Sequence, residues 1–141
     1  MTLHGSCLCH GVRYEIDGEL ALPGYCHCSI CRKAHGSAFG PYATAKSTDF
    51  RWVTGENLVT KYESSPGNFR TFCSRCGSCL VGLFASDPES VGIALGTLDD
   101  DPGVRPIAHI FVGSKAPWYD ITDDLMQFDE WPPGMEPGAA K

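Results

Sequence analysis

Eight cysteines in three tight groups constrain what this chain can fold into more than any other feature of its sequence. The groups have the patterns C-x-C, C-x-C-x-x-C and C-x-x-C-x-x-C, and they comprise Cys7 and Cys9; Cys26, Cys28 and Cys31; and Cys73, Cys76 and Cys79. Thiolates so close in sequence can bind the same ion, because a short turn brings their sulfur atoms together, and Zn²⁺ takes four such ligands in a tetrahedron. The spacing therefore predicts a zinc protein.

The main alternative is a secreted scaffold held together by disulfides, which an even number of cysteines would also suit. The chain starts Met1-Thr2-Leu3-His4, however, without the basic and apolar stretches of a secretory signal. A disulfide within C-x-C would close a small, strained ring, and a chain of 141 residues does not need disulfides for want of a core. We therefore expect reduced, metal-binding cysteines in a cytoplasmic protein.

The length and net charge of the chain limit the number of domains and the kinds of partner that we expect. The 141 residues predict one domain, which we place at residues 1–130, followed by a tail at 131–141 that is rich in proline and glycine. No apolar run approaches the roughly 18 residues of a membrane span, and the net charge of -6 argues against a protein that binds nucleic acid through its phosphates. We therefore expect neither a membrane nor nucleic acid as a partner, and the oligomeric state stays open. An anionic ligand would need a local basic patch, for which the candidates are Arg32, Lys33, Arg70 and Arg75.

The periodicity along most of the chain is that of β-strands. Val12, Tyr14 and Ile16 alternate with polar residues, as in a half-buried strand, while 16 glycines and 10 prolines interrupt any long helix. We predict a mainly β, zinc-stapled fold of short antiparallel strands with little helix. The predicted strands cover residues 12–16, 38–45, 50–53, 58–63, 68–73, 80–84, 91–98 and 107–112, and the predicted helical segments are 29–35 and 122–127.

The cysteines divide naturally into a site with four ligands and a site with three. The two distant pairs can share one ion through Cys7, Cys9, Cys73 and Cys76. Such a site is coordinatively saturated and would stabilise the fold rather than carry out chemistry. Three further thiolates within six residues come from Cys26, Cys28 and Cys31. Three protein ligands that leave one position free are how catalytic zinc is held.

The second site can also be closed. Cys79 could supply a fourth thiolate, and His27 or His35 could complete the shell, in which case both sites would be structural. An iron–sulfur cluster also fits the cysteine count, although less well than zinc. If the site is open, three thiolates leave it with a net charge of about -1, which favours a soft sulfur ligand over hydrolytic chemistry. A substrate thiolate held there could add to a carbonyl, or the reverse reaction could cleave a carbon–sulfur bond.

Three ordered motifs are distinctive: Gly5-Ser6-Cys7-x-Cys9-x-Gly11-Val12, Cys26-His27-Cys28-Ser29-x-Cys31-Arg32-Lys33 and Phe72-Cys73-x-x-Cys76-Gly77-Ser78. Two more stretches accompany them, Gly36-Ser37 and His109-Ile110-Phe111-Val112-Gly113-Ser114-Lys115-Ala116-Pro117-Trp118. In this combination the chain, from about residue 3 to 131, resembles the glutathione-dependent formaldehyde-activating enzyme family, which shares its domain with centromere protein V.

The resemblance implies an Mss4-like fold with two zinc ions per chain, one structural and one functional. It assigns the structural ion to Cys7, Cys9, Cys73 and Cys76, and the functional ion to Cys26, Cys28 and Cys31. Cys79 would then be a small buried residue with a free thiol. The implied reaction is the condensation of glutathione with formaldehyde to S-hydroxymethylglutathione, classed in the reverse sense as that of a carbon–sulfur lyase.

Other side chains are candidates for supporting roles. Arg32 and Lys33 could hold a glutathione carboxylate, because arginine offers a planar fork of donors. His27 and His35 flank the second cysteine group and could move a proton. For the remaining candidates we expect core positions for His109 and Trp118, a pocket wall for Lys115, and a solvated turn for Asp99-Asp100-Asp101.

We therefore expect a cytoplasmic zinc enzyme, a carbon–sulfur lyase, that adds glutathione or a similar thiol reversibly to formaldehyde or another small aldehyde or ketone. The catalytic ligands would be Cys26, Cys28 and Cys31. The alternative is a zinc-stapled binding module, or a carrier of thiols or aldehydes, without turnover. The deciding feature is whether the second zinc has an open fourth position.

Overall fold

The computed structural model describes residues 1–136 and confirms the mainly β expectation. The strands are β1 (Thr2–Ser6), β2 (Arg13–Asp17), β3 (Ala21–Cys26), β4 (Gly40–Lys46), β5 (Phe50–Thr54), β6 (Val59–Ser65), β7 (Asn68–Cys73), β8 (Cys79–Phe84), β9 (Ser90–Ala94), β10 (Ala108–Ile110) and β11 (Met126–Gln127). One α-helix, α1 (Ser29–His35), occurs among the described residues. Short 3₁₀ turns cover Ser47–Asp49, Glu56–Leu58, Leu95–Thr97 and Val112–Ser114. None of the helical segments in the described range has the length and apolar character that crossing a membrane requires.

The strands form two sheets that share one core. The small sheet has the order β1-β2-β5, and the large one has the order β11-β10-β3-β4-β9-β8-β7-β6. Neighbouring strands are antiparallel, as predicted, from β3 to β6 and throughout the small sheet. At the other edge, β10 pairs in parallel with both β3 and β11. This edge lies beside Cys26, so the C-terminal part of the chain flanks the second cysteine group.

Alternate residues of strands from both sheets build the core. Tyr14 and Ile16 of β2 are buried as the alternation predicts, and they join Ala43 of β4 and Ile93 of β9 in one apolar cluster. Burying an aliphatic side chain of this size contributes about 1.5–3 kcal/mol. The same cluster includes the buried Cys73, so one cysteine group is continuous with the core.

Three strands were not predicted from the sequence, the two-residue β11 and the longer β1 and β3, and the latter two lack clean alternation. In β3, Leu22 has a positive φ of 51°, and the register with β4 shifts between Ala21 and Gly24. Pro23 also removes a donor from this strand. In β1, the five residues TLHGS are short and mostly polar. Their pairing with β2 is set by tertiary context rather than by local pattern.

The helix expected at residues 122–127 is wrong, because this segment ends in the short strand β11. The Asp123 carboxylate accepts the N–H of Leu125 at 3.0 Å, and such a side-chain turn competes with helical hydrogen bonding. The strand expected over 91–98 ends at Ala94, where a 3₁₀ turn begins. In the expected tail, Trp131 packs edge-on against Phe111 with ring centroids 5.4 Å apart, and residues 137–141 lie outside the described residues.

Two candidate metal centres

Seven of the eight cysteines come together in two clusters, and all eight are free thiols. The four-cysteine cluster consists of Cys7, Cys9, Cys73 and Cys76, and the three-cysteine cluster consists of Cys26, Cys28 and Cys31. Within each cluster the sulfur atoms lie within 4.8 Å of one another. The fold thus brings together the residues that the spacing groups, and each cluster could bind a metal ion.

Two similar turns present the four-cysteine cluster. In the turn after β1, His10 donates its N–H to the carbonyl of Cys7 at 3.0 Å and has a φ of 61°. In the turn after β7, Gly77 donates its N–H to the carbonyl of Cys73 at 2.7 Å and has a φ of 78°. Each turn therefore uses one left-handed residue to fold its second cysteine back toward the first.

The sulfur spacing in the four-cysteine cluster matches a tetrahedral ion. The Sγ atoms of Cys7 and Cys9 are 3.5 Å apart, and those of Cys9 and Cys73 are 3.9 Å apart. A tetrahedron with Zn–S bonds of about 2.3 Å has edges of about 3.8 Å. These thiols are therefore already placed to hold zinc.

Ser78 ties the two turns to each other. Its hydroxyl oxygen accepts the N–H of Leu8 at 2.9 Å, and its proton points to the sulfur of Cys76 at 3.2 Å. The hydroxyl's hydrogen bond lowers the pKa of Cys76 to about 5. The thiolate form that a metal requires is thus favoured at this ligand.

A strand end and a helix start present the three-cysteine cluster. Cys26 is the last residue of β3, and Cys28 caps α1 by accepting the N–H of Cys31 on its sulfur at 3.2 Å. The first helical turn then brings Cys31 alongside Cys28, where it is only 4 % exposed. The helix predicted at this position is confirmed, and it explains why a C-x-x-C spacing converges here.

Three thiols this close cannot all be ionised without a cation. Hydrogen bonding with Cys28 raises the pKa of Cys26, and hydrogen bonding with Cys26 lowers the pKa of Cys28 to about 2. A divalent cation would remove this conflict, because it stabilises all of the sulfurs as thiolates. The donor set therefore fits a metal that prefers sulfur, such as zinc.

The side chains considered as a fourth ligand are engaged elsewhere. Among the described residues, no further Cys, His, Asp or Glu places a ligand atom within 4.8 Å of all three sulfurs. His27 Nε2 pairs with His109 Nδ1 at 2.8 Å, and His35 Nε2 pairs with the hydroxyl of Tyr42 at 2.6 Å. Cys79 is half-buried rather than buried as expected; its thiol contacts Tyr42 and Arg70, and burial raises its pKa.

A positive side chain contacts the three-cysteine cluster from β7. Arg70 Nη2 donates to the sulfur of Cys31 at 3.2 Å, while its Nη1 donates to the hydroxyl of Tyr42 at 2.7 Å. In the sequence, Arg70 is only one of four basic residues near cysteines. Its contact with Cys31 spans 39 positions, and no local pattern signals it.

A cavity of about 340 Å³ lies between α1 and the turn that follows Cys76. Its walls include His35, Pro41, Cys79 and Thr97, the last residue of the Leu95–Thr97 3₁₀ turn. No acidic side chain of residues 1–136 lines it. The cavity can accept a small organic molecule next to the helix that carries Cys31.

The histidine between the cysteines of the C-H-C motif ends a buried polar chain. His27 is fully buried, and burial, followed by the charges of His109 and Lys115, lowers its pKa to about 4. His109 Nε2 contacts the Asp123 carboxylate at 3.0 Å. The prediction of His109 as a satisfied core histidine is confirmed, whereas the role of Asp123 was not predicted.

The predicted contacts to substrate are not brought together at the cavity. Lys33 is exposed on α1, and the half-buried Arg32 has a buried Nε without a partner among the described residues. Neither lines the cavity described above. Lys115 donates to the carbonyls of Ala116 and Tyr119. The core position expected for Trp118 is wrong, because this side chain is 70 % exposed.

The acidic run is an exposed turn, as expected, and its carboxylates have partners within the protein. Asp99 accepts from the hydroxyl of Ser6 at 2.9 Å. Asp100 accepts the N–H of His4 at 2.8 Å. The next carboxylate, Asp101, pairs with Arg105 at 2.8 Å.

A mainly β domain with two clusters of closely spaced thiols is the class of protein that this fold and these sites define. The sequence profile of the glutathione-dependent formaldehyde-activating enzyme family matches residues 2–114, and the chain belongs to that family. The resemblance seen in the cysteine motifs is therefore confirmed.

Individual relatives agree with the family assignment. A Halomonas elongata protein provisionally named as a glutathione-dependent formaldehyde-activating enzyme is 35% identical over 131 residues, covering 86% of this chain and 82% of its own. An uncharacterised lyase of Schizosaccharomyces pombe is 24% identical over 124 residues, covering 88% of each chain. The crystal structure of a Rhodobacter sphaeroides protein is similar with a TM-score of 0.59 and 31% identity, over 73% of this chain and 91% of that one.

Proposed function

We propose that this chain is a zinc-dependent enzyme that reversibly adds glutathione, or a similar thiol, to formaldehyde or another small carbonyl compound. The observation that supports it most is a cluster of three thiols, without a fourth ligating side chain among the described residues, beside a cavity. The family description and the name of the Halomonas relative point to glutathione and formaldehyde. In the reverse sense the enzyme is a carbon–sulfur lyase, and we place it in the reducing cytoplasm, with the zinc domain at residues 1–130.

The two clusters would divide the work. The four-cysteine cluster would hold a structural zinc through Cys7, Cys9, Cys73 and Cys76, with every coordination position filled by the protein. The three-cysteine cluster would hold the functional zinc through Cys26, Cys28 and Cys31. When bound there, the functional ion supplies one free position at which a substrate thiol is held as its thiolate.

The reaction balances without another reagent. The substrate thiol gives up its S–H proton, its sulfur forms a bond to the carbonyl carbon, and the carbonyl oxygen gains a proton. The cavity walled by His35, Pro41 and Cys79 would receive the carbonyl compound beside α1, and its volume of about 340 Å³ favours a small carbonyl compound over a large one. Arg32 and Lys33, directly after Cys31 in sequence, lie outside the cavity lining and would bind the glutathione carboxylates there through their N–H groups.

Kinetics test the enzymatic proposal. Thiols add to formaldehyde unaided, so the measured quantity is the rate above that background, followed by the loss of free thiol. We expect zinc-loaded protein to accelerate the reaction in both directions, chelation to abolish the acceleration, and zinc to restore it. A rate equal to the background at every protein concentration would contradict the proposal.

X-ray absorption at the zinc edge separates an enzyme from a binding module. With two zinc ions per chain, the three-cysteine cluster should gain a sulfur ligand when glutathione is added, and the average number of sulfur neighbours should rise. A matched addition of S-methylglutathione, which has no free thiol, should leave the number unchanged. If glutathione also leaves it unchanged, the zinc-stapled module without turnover is the better description.

A further inference from the structure

The guanidinium of Arg70 makes three hydrogen bonds in a half-buried position, and one of them reaches a cluster sulfur. Nη2 donates to Cys31 at 3.2 Å, Nη1 donates to the Tyr42 hydroxyl at 2.7 Å, and Nε donates to the Ser64 hydroxyl at 3.3 Å. Its planar group lies 5.9 Å from the centre of the Tyr42 ring. Three of its nitrogens are therefore engaged, which orients the guanidinium toward Cys31, and the half-buried Cys79 is a further neighbour.

The hydrogen bonds of Arg70 continue through Tyr42 to the helix that carries Cys31. Burial raises the pKa of Tyr42 and lowers that of His35, so it disfavours the charged form of each, and a guanidinium can only donate to the phenol oxygen. The Tyr42 hydroxyl then accepts from Arg70 and donates to His35 Nε2 at 2.6 Å. His35 lies on α1, one turn after Cys31. A ring of contacts thus links β7, β4 and α1 at the sulfur of Cys31, and the thiol of Cys79 also lies next to Arg70 and Tyr42.

The positive charge of Arg70 offsets the negative charge of the cluster. Three thiolates around a divalent cation carry a net charge of about -1, and a further thiolate at the same ion would raise it to about -2. Arg70 is the one arginine or lysine that donates to a cysteine sulfur among the described residues. Its charge brings the protein site close to neutral. A hydrogen bond to a ligating sulfur also draws electron density away from the metal, which strengthens its hold on an incoming thiolate.

We propose that Arg70 is a positioning residue for the three-cysteine cluster, held by Tyr42 and Ser64 so that it orients Cys31 and offsets the excess negative charge of the thiolates. The benefit of this role for substrate binding rests on the proposed function, but the effect of Arg70 on metal affinity is a property of the metal site alone. Arg70 sets the affinity of the cluster for metal and, through the metal, its affinity for the substrate thiol. Partners of this kind commonly change metal affinity 10- to 100-fold, as an order of magnitude.

The test compares Arg70→Met with Arg75→Met in protein that holds zinc at the four-cysteine cluster and Co²⁺ at the three-cysteine cluster. Arg75 is an exposed arginine beside the four-cysteine cluster, so its replacement removes the same charge without touching Cys31. In Arg70→Met we expect about 10-fold weaker Co²⁺ binding or more. We also expect the sulfur-to-cobalt charge-transfer bands to move to longer wavelength, because the thiolate loses its hydrogen bond. Arg75→Met should show neither change.

Two milder variants keep the test decisive if Arg70→Met folds poorly. Arg70→Lys retains the charge but cannot serve three partners at once, and Tyr42→Phe retains the arginine but removes the hydroxyl that holds it. Both should give intermediate cobalt affinities and band positions. Native-like affinity and spectra in all Arg70 and Tyr42 variants would overturn the inference.

Turnover separates this inference from the function on which it rests. With the native enzyme active, Arg70→Met should raise KM for the thiol about 10-fold and leave KM for the carbonyl compound unchanged. If the native protein shows no activity above background while the cobalt affinity and spectra still respond, the positioning role stands and the proposed function fails. If the native protein is active and neither KM nor the cobalt spectra respond, the positioning role fails alone.

Discussion

The two cysteine clusters use the same ligand chemistry but are attached to the molecule differently. The four-cysteine cluster joins two turns whose strands, β1 and β7, belong to different sheets, and Cys7 and Cys73 are part of the apolar core. The three-cysteine cluster lies at the end of β3 and the start of α1, among polar partners and next to a cavity. Identical ligands can therefore staple a fold or be exposed to chemistry, depending on what surrounds them.

The surroundings also differ in electrostatics. Around the four-cysteine cluster, the sulfur of Cys7 accepts the backbone N–H of Val12 at 3.3 Å, and Ser78 bridges both turns. Around the three-cysteine cluster, a full positive charge on Arg70 meets Cys31. The hydrogen bonds to the four-cysteine sulfurs thus come from neutral donors, with Arg75 nearby, whereas a cation donates directly to a sulfur of the three-cysteine cluster. The following changes test this distinction.

Replacing one ligand of the four-cysteine cluster should have the largest effect. Cys76→Ser removes a thiolate from the staple between the sheets, and we expect a loss of more than about 4 kcal/mol in the free energy of unfolding, since structural zinc contributes folding energy directly. The melting temperature should fall by about 10 °C or more. Circular dichroism during heating, with metal content measured in parallel, checks this. Cys79→Ser, three residues away and outside both clusters, is the matched control and should melt close to the native protein.

Replacing one ligand of the three-cysteine cluster should separate activity from stability. We expect Cys28→Ser to lower kcat/KM for the thiol–carbonyl reaction by at least about 100-fold. Its free energy of unfolding should change by only about 1 kcal/mol, because β3 and α1 keep their packing. Urea unfolding and steady-state kinetics on the same preparation measure both quantities. A Cys28→Ser protein that unfolds as readily as Cys76→Ser would show that both clusters are structural.

A glycine beside each cluster offers a finer comparison. A Cβ on Gly55 would lie 2.0 Å from the carbonyl oxygen of Gly11, in the turn of the four-cysteine cluster, and Gly55 has a φ of 75°. Gly36 ends α1 with a φ of 59°, but a Cβ there meets nothing within 4 Å. We expect Gly55→Ala to cost about 3 kcal/mol or more and Gly36→Ala about 1–2 kcal/mol. Urea denaturation measures both, and equal losses would contradict the tighter packing of the four-cysteine region.

The sequence predicts these regions unequally, because the two kinds of contact differ in range. Cysteine spacing indicates the three-cysteine cluster and each pair of the four-cysteine cluster, since ligands within one turn are neighbours whatever the rest of the chain does, whereas the union of the two pairs, with Cys9 and Cys73 64 positions apart, was inferred from the four ligands that zinc takes. The alternation in β2 likewise predicts its buried face, and the Cys28–Cys31 spacing coincides with a helical turn. Each of these signals is contained in fewer than ten consecutive residues.

The partners of the three-cysteine cluster have no such local signal. Arg70 and Tyr42 are 28 positions apart, and Asp123 reaches His109 only because β10 and β11 lie beside β3. Which side chains meet there depends on strand order and register, which the sequence pattern alone does not determine. The irregular β3 carries Pro23 and a left-handed Leu22, so even its presence had no periodic signal. The residues that distinguish the two clusters are thus the ones that local patterns miss.

Acidification should give the smallest difference between the two regions. Burial lowers the pKa of His27 from 6.5 to about 4. Between these values the unfolded chain binds the proton more readily, so the stability contribution is complete above about pH 6.5 and is lost as the pH falls toward 4. At pH 5.5 we expect a loss of about 1 kcal/mol from this group.

His27→Gln keeps a donor for His109 but cannot titrate, so its unfolding free energy should vary less between pH 7.5 and pH 5.5. His10→Gln, at an exposed position in the four-cysteine turn, is the control, and its unfolding free energy should change with pH as much as that of the native protein. All three proteins keep the same thiolate ligands, so metal release in acid affects them alike. An equal pH dependence for His27→Gln and the native protein would show that the buried histidine does not resist protonation.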